Sequence, residues 1–563
     1  MNEYWFVAIA AAVVLLIVFL KLFYDRIKWE RKRERKIALS WGKQPEQEYT
    51  AEEFDSISHF CRRRHNGVTG IDDITWNDLD MDEVFMLVNH TWSSPGQECL
   101  YDIMRTPVYE KSVLEERERL ISYFASHENE RRSVEKIYAK MGRVKGVSLA
   151  DYVYWLADLT EMKVVPHIIR AVLALAGIVS IFAAPAQGII FFILIMCANI
   201  MNYFSQKKEI EPYISAFAFI IKMMDTAKEL EKLNIREIES YQAQMKKTSR
   251  QFNKFRKNSF LVLAGQGGMN EDPLAMILDY IRMVFHVDLI KFNWMLKEVK
   301  LHLKDAELFI EQIGMLESMI AIANFREMMP YVCLPELQQG EIVRLEAENI
   351  YHPLVEHAVA SSIQAKRGVL LTGSNASGKS TFLKTIAINA ILAQTIHTAL
   401  ADRYQGNYFS IYSSMALKDN LMGQESYFIV EIKSLKRILD AVDKEHPVLC
   451  FVDEVLRGTN TVERIAASSE ILKSLNDAGV LCFAATHDIE LTYILDDSYD
   501  NYHFREEIKD QDILFDYCLR EGRATSRNAI RLLGLIGYDE EIINKAENMA
   551  TRFAEEGVWA LGE

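Results

Sequence analysis

The chain has 563 residues, half of them hydrophobic, so it is long enough to form several domains with buried cores. Its formal net charge of -15 argues against a protein coated with nucleic acid over its whole surface, although a local basic patch can still bind a phosphate backbone. The seven cysteines are scattered and form no Cys-x-x-Cys pair, so neither a zinc site nor a disulfide framework is indicated, and mostly buried free thiols are expected.

The first predicted element is a membrane-spanning helix. Tyr4–Leu20 is apolar without interruption, and Tyr4–Phe23 supplies the roughly 20 residues that a span needs if Lys21 extends its ammonium group to the interface. A basic cluster continues to Lys36 and is expected to stay in the cytoplasm. The alternative is a cleaved signal peptide, which would have its positive charge before the apolar run rather than after it.

A second apolar stretch, residues 171–206, contains no charged residue. Pro185–Gly188 lies in its middle, and the stretch predicts two short spans, about Ile168–Ala184 and Ala186–Phe204, joined by a tight outer turn. Cationic residues flank both ends of this hairpin, so both ends are expected on the cytoplasmic side. The alternative is a buried helical pair in a soluble core.

The segments on either side of the hairpin are predicted to be helical. Glu52–Leu159 combines charged residues with apolar residues at helical spacing. Ile210–Glu327 contains long helical segments such as Ile221–Lys232 and Met276–Leu316, and Gly265–Asn270 is predicted to be a flexible break.

A basic run with interleaved aromatic residues, Phe252 and Phe255, lies in the second helical segment. Its members are Lys246, Lys247, Arg250, Lys254, Arg256 and Lys257. Two interpretations are open. The run can contact the phosphates of a nucleic acid, or it can be a solvated helix face beside anionic lipid headgroups, since it follows soon after the hairpin.

The strongest chemical motif of the chain is Gly373-Ser374-Asn375-Ala376-Ser377-Gly378-Lys379-Ser380-Thr381, which fits G-x-x-x-x-G-K-[ST] in full. The apolar Gly368–Leu371 predicts a buried strand before it, and Phe382–Gln394 predicts a helix after it. In that context the backbone amides and the helix N-terminus bind phosphate. Lys379 is expected to reach the β- and γ-phosphates and Ser380 to bind Mg²⁺. A chance turn rich in Gly and Ser is the alternative.

Val448–Glu454 predicts the second element of a nucleotide site, an apolar strand that ends in two acids. Asp453 is expected to hold Mg²⁺, directly or through water, and Glu454 to orient or deprotonate the attacking water. Leu481–Ala485 predicts another buried strand, and His487 just after it is a candidate sensor of the γ-phosphate.

Ser426 lies near the N-terminus of a predicted helix, which is a position that favours anions. In a dimer it can cap the nucleotide of the partner chain. A plain helix cap is the alternative interpretation.

In combination, these motifs resemble the ATPase domain of the MutS family of DNA mismatch-repair proteins. The resemblance rests on Thr372–Thr381, Glu425–Glu431, Asp453–Thr461 and Ala485–Thr492 in that order, and it extends over most of residues 45–160 and 300–555. Tyr351–Val355 is similar to the family's Arg-His-Pro-Val-Val segment, near where the base stacks, so the resemblance implies His352 as a nucleotide-binding residue.

The resemblance implies a homodimer with two composite ATP sites, in which Ser426 reaches the partner's nucleotide and ATP drives the opening and closing of helical levers. Gly522–Leu535 and Asp539–Phe553 are similar to the family's dimerising helices. Two departures are expected. The mismatch-reading domain with its Phe-x-Glu wedge does not precede the core, and no small MutS-related nuclease domain follows Phe553.

The expected fold class is an α/β P-loop NTPase domain of the ABC type at residues 341–563, preceded by an all-α core and lever domain with three transmembrane helices. The expected boundaries are a transmembrane anchor with a basic juxtamembrane segment at 1–40, a helical core at 41–163, a transmembrane hairpin at 164–206 and a lever or reduced clamp-like region at 207–340.

The expected function is that of a membrane-tethered, MutS-like ATPase that hydrolyses ATP with Mg²⁺, moves its levers and binds DNA in connection with mismatch repair. It is expected as a multi-pass protein of the cell membrane, with the ATPase and core on the cytoplasmic side. The alternative is ATP-driven remodelling of a membrane or a membrane-protein partner without DNA. An ABC-class transporter is disfavoured, because three spans per chain are a thin basis for a transport pathway.

Overall fold

The computed structural model describes residues 3–47, 49–68, 70–144, 146–263, 273–340, 342–374, 377–415, 427–442, 446–457, 459–509, 512–524, 530, 533, 537–556 and 559. The chain divides into two compact units. The first contains Met1–Val68, Val88–Asp102 and Arg119–Met328, and the second contains Thr69–Leu87, Ile103–Glu118 and Met329–Glu563. The predicted ATPase region therefore lies in the second unit, together with two short segments of the predicted core.

Every regular element described before residue 330 is a helix. In chain order these are α1 (Glu3–Ser40), α2 (Ala51–Arg64), α3 (Asp73–Asp78), α4 (Met81–Val88), α5 (Ser94–Arg105), α6 (Lys111–Ser126), α7 (Glu128–Met141), α8 (Leu149–Asp158), α9 (Val164–Ala183), α10 (Pro185–Glu231), α11 (Glu239–Gln251), α12 (Asn253–Arg256), α13 (Phe260–Leu263), α14 (Pro273–Phe285), α15 (Val287–Leu301) and α16 (Leu303–Met328), with a short 3₁₀ turn at Arg236–Ile238. The predicted helical character of this part is confirmed.

Within the described residues, three helices are long and apolar enough to cross a membrane: α9, α10 and α16. In α16, 78% of the most apolar stretch is buried inside the protein, so α16 is a core helix of the first unit. Gly314 of α16 packs so closely on α5 that a Cβ atom there would lie 2.2 Å from the carbonyl oxygen of Pro95. Helix α1 contains the predicted span Tyr4–Phe23, whose membrane crossing stays a prediction.

The predicted hairpin is present as the antiparallel pair α9 and the first half of α10. The tight turn predicted between the two spans is observed, because α9 ends at Ala183, α10 begins at Pro185 and only Ala184 separates the helices. Proline suits the first position of a helix, where its missing N–H has no intrahelical partner. A Cβ at Gly188 would lie 2.5 Å from the carbonyl oxygen of Ser180, so glycine permits this tight crossing.

The long helix predicted over Met276–Leu316 is interrupted twice. His286 separates α14 from α15 in a left-handed conformation, with φ 52°, and His302 separates α15 from α16. The flexible break predicted at Gly265–Asn270 lies outside the described residues.

The aromatic residues of the basic run do not face solvent. Phe252 and Phe255 are 1% and 0% exposed and belong to the core of the first unit. Two of the cations are paired, since Lys246 bonds to Glu231 at 2.5 Å and Arg256 to Asp225 at 2.6 Å. The two rings are therefore buried in the core and are not available at the surface beside the cations.

The second unit combines strands with helices. Its helices after residue 330 are α17 (Lys379–Thr395), α18 (Tyr427–Leu439), α19 (Thr461–Asp477), α20 (Ile489–Ile494) and α21 (Glu540–Glu556). Its strands are β1 (Glu336–Gln338), β2 (Leu345–Ile350), β3 (Ser361–Ala365), β4 (Gly368–Thr372), β5 (Arg403–Asn407), β6 (Ser410–Ser414), β7 (Val448–Asp453), β8 (Leu481–Ala485), β9 (Tyr499–His503), β10 (Glu506–Lys509), β11 (Asp512–Phe515) and β12 (Arg520–Glu521).

The main sheet has six strands in the order β12-β9-β4-β8-β7-β6, and all neighbours are parallel except β12 and β9. Strands β4 and β8 are buried along their whole length, as expected for central strands covered on both faces. A second sheet has the order β1-β5-β2-β3, and β10 pairs with β11 in a hairpin. This arrangement confirms the predicted mixed α/β fold of the C-terminal region.

Candidate nucleotide-binding site

The carboxyl ends of β4, β8 and β7 meet at one edge of the main sheet. In the strand register, Ala485 of β8 lies opposite both Leu371 of β4 and Asp453 of β7. The backbone N–H of Glu454 also donates to the carbonyl of Ala485 at 2.9 Å. Ligands of open α/β sheets bind at this edge, where the loops after the strands emerge together. The three predicted motifs are therefore brought to one place.

The phosphate loop joins β4 to α17. Gly373 and Gly378 have φ angles of 147° and 105°, which glycine adopts readily and other residues avoid. The Nζ of Lys379 donates to the carbonyl oxygens of Gly373 at 2.9 Å and Ser374 at 2.7 Å, so the ammonium group lies directly over the loop. Thr381 is exposed on the first turn of α17. The predicted strand and helix are thus observed, and the described residues of the loop, Gly373, Ser374, Ser377 and Gly378, lie between them.

Some predicted site residues lie outside the described residues. They are Asn375 and Ala376 of the phosphate loop and Ser426 before α18. Their proposed contacts stay predictions.

Ser380 and Asp453 form the pair that the sequence assigned to Mg²⁺. The hydroxyl of Ser380 donates to a carboxylate oxygen of Asp453 at 2.5 Å. The hydroxyl is exposed at the start of α17, and the carboxylate ends β7. Hard oxygen ligands of this kind are what Mg²⁺ prefers, and Mg²⁺ usually takes only one or two of them from a protein. The pair fits the predicted ion.

Glu454 is held between two cationic or polar side chains. One of its carboxylate oxygens lies 2.8 Å from Nε2 of His487, and the other lies 2.5 Å from Nε of Arg457. The hydrogen bond with His487, followed by the charge of Arg457, holds the pKa of Glu454 below its usual value, against the opposing effect of burial. The carboxylate is therefore ionised at neutral pH and able to accept a proton. The sequence predicted Glu454 and His487 but gave Arg457 no partner.

The turn that contains Glu454 is conformationally strained. Glu454 and Leu456 both have left-handed backbones, with φ 57° and 59°, which cost about 1–2 kcal/mol for each non-glycine residue. The backbone N–H of Leu456 donates to the carboxylate of Glu431, a residue of α18 that is 3% exposed. Burial raises the pKa of Glu431. A buried carboxyl group thus fixes the turn, and sequence reasoning did not find this role.

Tyr517 is a second residue that the sequence did not indicate. It follows β11, and its ring lies against the phosphate loop, because a Cβ atom at Gly378 would be only 3.1 Å from its Cδ1. Nearly half of the tyrosine surface is exposed. The ring is therefore available beside the loop to pack on a ligand.

His352 is buried, and its Nδ1 accepts a hydrogen bond from the N–H of Leu354 at 3.2 Å. Burial, with the charge of Lys384, lowers its pKa to about 4, so the imidazole is neutral at pH 7. Among the described residues, no hydrogen bond or ion pair joins His352 to the phosphate loop. Its role in base binding stays a prediction.

One buried polar atom tests whether a nucleotide fits the loop. Ser377 is 1% exposed, and its Oγ has no hydrogen-bond partner among the described residues. A buried hydroxyl without a partner costs about 1–3 kcal/mol. A phosphate oxygen in the loop would accept this hydrogen bond and would also attract the Lys379 ammonium group. The residues present therefore suit a nucleoside triphosphate.

Comparisons with known proteins agree with this geometry. Residues 369–554 match the family model described as MutS domain V. The DNA mismatch repair protein MutS 1 of Halobacterium salinarum is 32% identical over 234 residues, which cover 39% of this chain and 26% of that protein. The MutS protein of Fusobacterium nucleatum is 28% identical over 272 residues, covering 46% of this chain and 30% of the relative.

The DNA mismatch repair protein MutS of Thermus thermophilus is 28% identical over 265 residues, covering 46% of this chain and 32% of the relative. The matched part thus spans less than a third of the length of each of these relatives. Residues 369–554 of this chain are therefore similar to MutS domain V, a P-loop ATPase-type domain, and this agrees with the strand, loop and helix arrangement of the site.

Proposed function

We propose that this chain is a MutS-type ATPase that binds ATP, hydrolyses it and uses the cycle to move its helical segments. The observation that supports this most is the meeting of Lys379, the Ser380–Asp453 pair and Glu454 at one sheet edge. Lys379 and the loop amides bind the phosphates, and Glu454 orients a water molecule and takes its proton. His487 keeps Glu454 ionised. Mg²⁺, held by Ser380 and Asp453, would supply positive charge against the phosphate oxygens.

The proposed assembly is a homodimer with composite sites. Helix α21 supports it, because Ile542, Met549 and Phe553 recur at helical spacing and are 52%, 49% and 39% exposed. An apolar stripe of this kind favours burial against another chain. Ser426, just before α18, is proposed to contact the partner's nucleotide, which would make hydrolysis depend on dimerisation.

DNA is the proposed client, on the basis of the relatives, whose names describe DNA mismatch repair. Lys247 and Arg250 of the basic run, which have no ion pair within the described residues, are exposed on α11 and available to phosphates.

The proposed location is the cell membrane, with the ATPase domain and the helical core on the cytoplasmic side. The hairpin supports it, because large apolar side chains such as Phe182 and Ile190 are 85% and 62% exposed. Such surface is costly in water and favourable in lipid. The same observation favours a second candidate function, in which the ATPase remodels a membrane or a membrane-protein partner without DNA.

One experiment separates the two functions. The purified full chain in detergent or lipid nanodiscs is assayed for ATP hydrolysis with duplex DNA, with mismatched or branched DNA, with added vesicles and with buffer alone. Stimulation by DNA supports the first function, and stimulation by vesicles without any effect of DNA supports the second. The Glu454→Gln variant in each arm shows whether the measured turnover comes from the proposed site. If wild type and variant hydrolyse ATP at the same rate, the ATPase proposal is wrong.

A further inference from the structure

An open cavity of about 990 Å³ lies in the first unit, beside the second half of α1. Its walls are α1 from Trp29 onwards, the segment that leads into α2, residues 89–97 and the end of α7. This volume is at the upper end of the range for small-molecule sites. None of its residues belongs to the nucleotide site of the second unit.

The α1 wall is held firmly in place. Lys136 of α7 bonds to Glu34 of α1 at 2.7 Å, and the guanidinium of Arg131 stacks on Trp41 at 3.4 Å from the ring centre. Beyond the end of α1, the N–H of Gly42 donates to the side-chain oxygen of Asn324 at 2.6 Å. The cavity is therefore formed within one unit and does not depend on the arrangement of the two units.

The cavity is strongly cationic. Its lining contains six cationic residues and two acidic ones: Lys32, Arg33, Arg35, Lys36, Lys43 and Arg143 against Glu46 and Glu53. Glu53 already accepts a hydrogen bond from the backbone of Thr50 in the capping box of α2. In the part of the chain that the structure describes, none of the five lysines and arginines between 32 and 43 has an ion pair. In a chain with net charge -15, this concentration of unpaired positive charge indicates an anionic ligand.

The remaining lining residues suit a ring-bearing ligand. Trp29, Tyr49 and Trp92 contribute aromatic surface, and Lys36 lies 5.8 Å from the ring centre of Trp92. The side-chain oxygen of Gln97, a residue 6% exposed, is buried in this wall without a hydrogen-bond partner among the described residues. An unpaired buried acceptor costs free energy, so the chain alone does not complete the wall. Cations, aromatic rings and amide groups together are what nucleotide-binding surfaces use.

The position of the cavity along α1 distinguishes two sources of phosphate. If Tyr4–Phe23 spans the membrane, as in the proposed function, Lys36 lies thirteen residues further on, about 20 Å along the helix axis. A headgroup layer extends only about 5–8 Å beyond the hydrocarbon on each side. Most of the cavity therefore lies beyond the reach of bilayer lipid, and this favours a soluble ligand.

We propose that this cavity binds a phosphate-bearing nucleotide, with the phosphates held by the cations of α1 and the base placed against the aromatic rings of the wall. The step that excludes lipid rests on the proposed membrane span. The cavity and the charges of its lining do not depend on that span. The site is separate from the ATPase site, so either proposal can fail without the other.

The test uses the full chain with Lys379→Ala, which disables the phosphate loop, and measures binding of the 5′-phosphorylated dinucleotide pApA by calorimetry in neutral detergent. We expect pApA to bind, and adenosine, which has no phosphate, to bind at least tenfold more weakly. Adding Arg33→Glu and Lys36→Glu should weaken pApA binding at least tenfold. The matched control, Lys222→Glu with Lys228→Glu, reverses two exposed cations of the same unit and should change binding less than twofold.

Nanodiscs distinguish the soluble ligand from lipid. Binding of pApA should be equal in phosphatidylcholine and phosphatidylglycerol discs, whereas weaker binding in the anionic discs would assign the cavity to lipid headgroups and overturn the proposal. The proposal would also be overturned if pApA did not bind, or if the Arg33→Glu and Lys36→Glu changes left the affinity for pApA unchanged. ATP hydrolysis by the charge-reversed chain with Lys379 intact should stay normal, which shows that the variant is folded.

Discussion

Replacing Glu431 by alanine tests whether a buried carboxyl group on α18 positions the catalytic turn. Glu431 has no hydrogen bond to the phosphate loop among the described residues, and its carboxylate accepts the N–H of Leu456. The change leaves that N–H buried without a partner, because Leu456 is 3% exposed. The turn also contains two left-handed residues, so it has conformational energy to release once it is no longer held.

The magnitude follows from these contributions. A buried N–H without an acceptor costs about 1–3 kcal/mol. Relaxing the left-handed backbone at Glu454 and Leu456 would recover about 1–2 kcal/mol each. In the variant, the free energy of the relaxed turn is therefore comparable to that of the native turn. A shift of a catalytic group by about 1 Å costs about 100-fold in rate. We therefore expect kcat to fall tenfold to a hundredfold.

The assay compares kcat and nucleotide affinity in the Glu431→Ala and Glu431→Gln variants. Glutamine retains a side-chain oxygen that can accept the Leu456 N–H, so its kcat should stay within about threefold of wild type. ATP affinity should be nearly unchanged in both, since Lys379 and Ser380 are untouched. A Glu431→Ala protein with normal kcat would refute the positioning role, as would equal losses in both variants.

Three further predictions concern charge. Lys379→Ala should weaken ATP binding at least a hundredfold in equilibrium binding, because the ammonium group over the loop is lost; binding within tenfold of wild type would exclude its role. His487→Ala should move the acid limb of the kcat/KM profile to higher pH, because the hydrogen bond with His487 is the main cause of the lowered pKa of Glu454; an unmoved limb would contradict this. Burial raises the pKa of Glu98 to about 8 from an ordinary 4.5, so the folded protein keeps a proton that the unfolded chain loses as pH rises above 4.5. Stability should therefore fall between pH 4.5 and 8, by at most about 5 kcal/mol at 1.36 kcal/mol per pKa unit, and Glu98→Gln, which preserves the bonds to Ser148 and Leu149, should flatten that slope in denaturant titrations. A wild-type slope that persists in the variant would assign it to other groups.

The elements around the phosphate loop were predictable because their determinants are local. The apolar run of β4, the glycines of the loop and the start of α17 are contiguous, and each fixes its own conformation. The same is true of β7 with its terminal Asp453. Because β4, β8 and β7 are parallel neighbours, their carboxyl ends lie at the same edge of the sheet, and no long-range side-chain contact has to be predicted to bring the motifs together.

What the sequence did not reveal depends on contacts between distant residues. Glu431 and Leu456 are 25 residues apart, and Tyr517 reaches Gly378 across more than a hundred. The burial of Phe252 and Phe255 was not predicted for a similar reason. A phenylalanine between cations can lie in a core or at the surface, and only its packing against other helices determines which of the two occurs. The break at His286 requires a left-handed backbone conformation, and no glycine or proline at this point of the sequence indicates a helix end.

The central claim is that Glu454 activates water for hydrolysis of an ATP molecule bound by the Lys379 loop. The most direct measurement is a parallel assay of ATP binding and single-turnover hydrolysis in wild type and Glu454→Gln. We expect the variant to bind ATP with nearly normal affinity and to hydrolyse it at least a hundredfold more slowly, in line with the typical contribution of a general base. Normal hydrolysis by the variant, or failure of the wild type to bind ATP at all, would contradict the account.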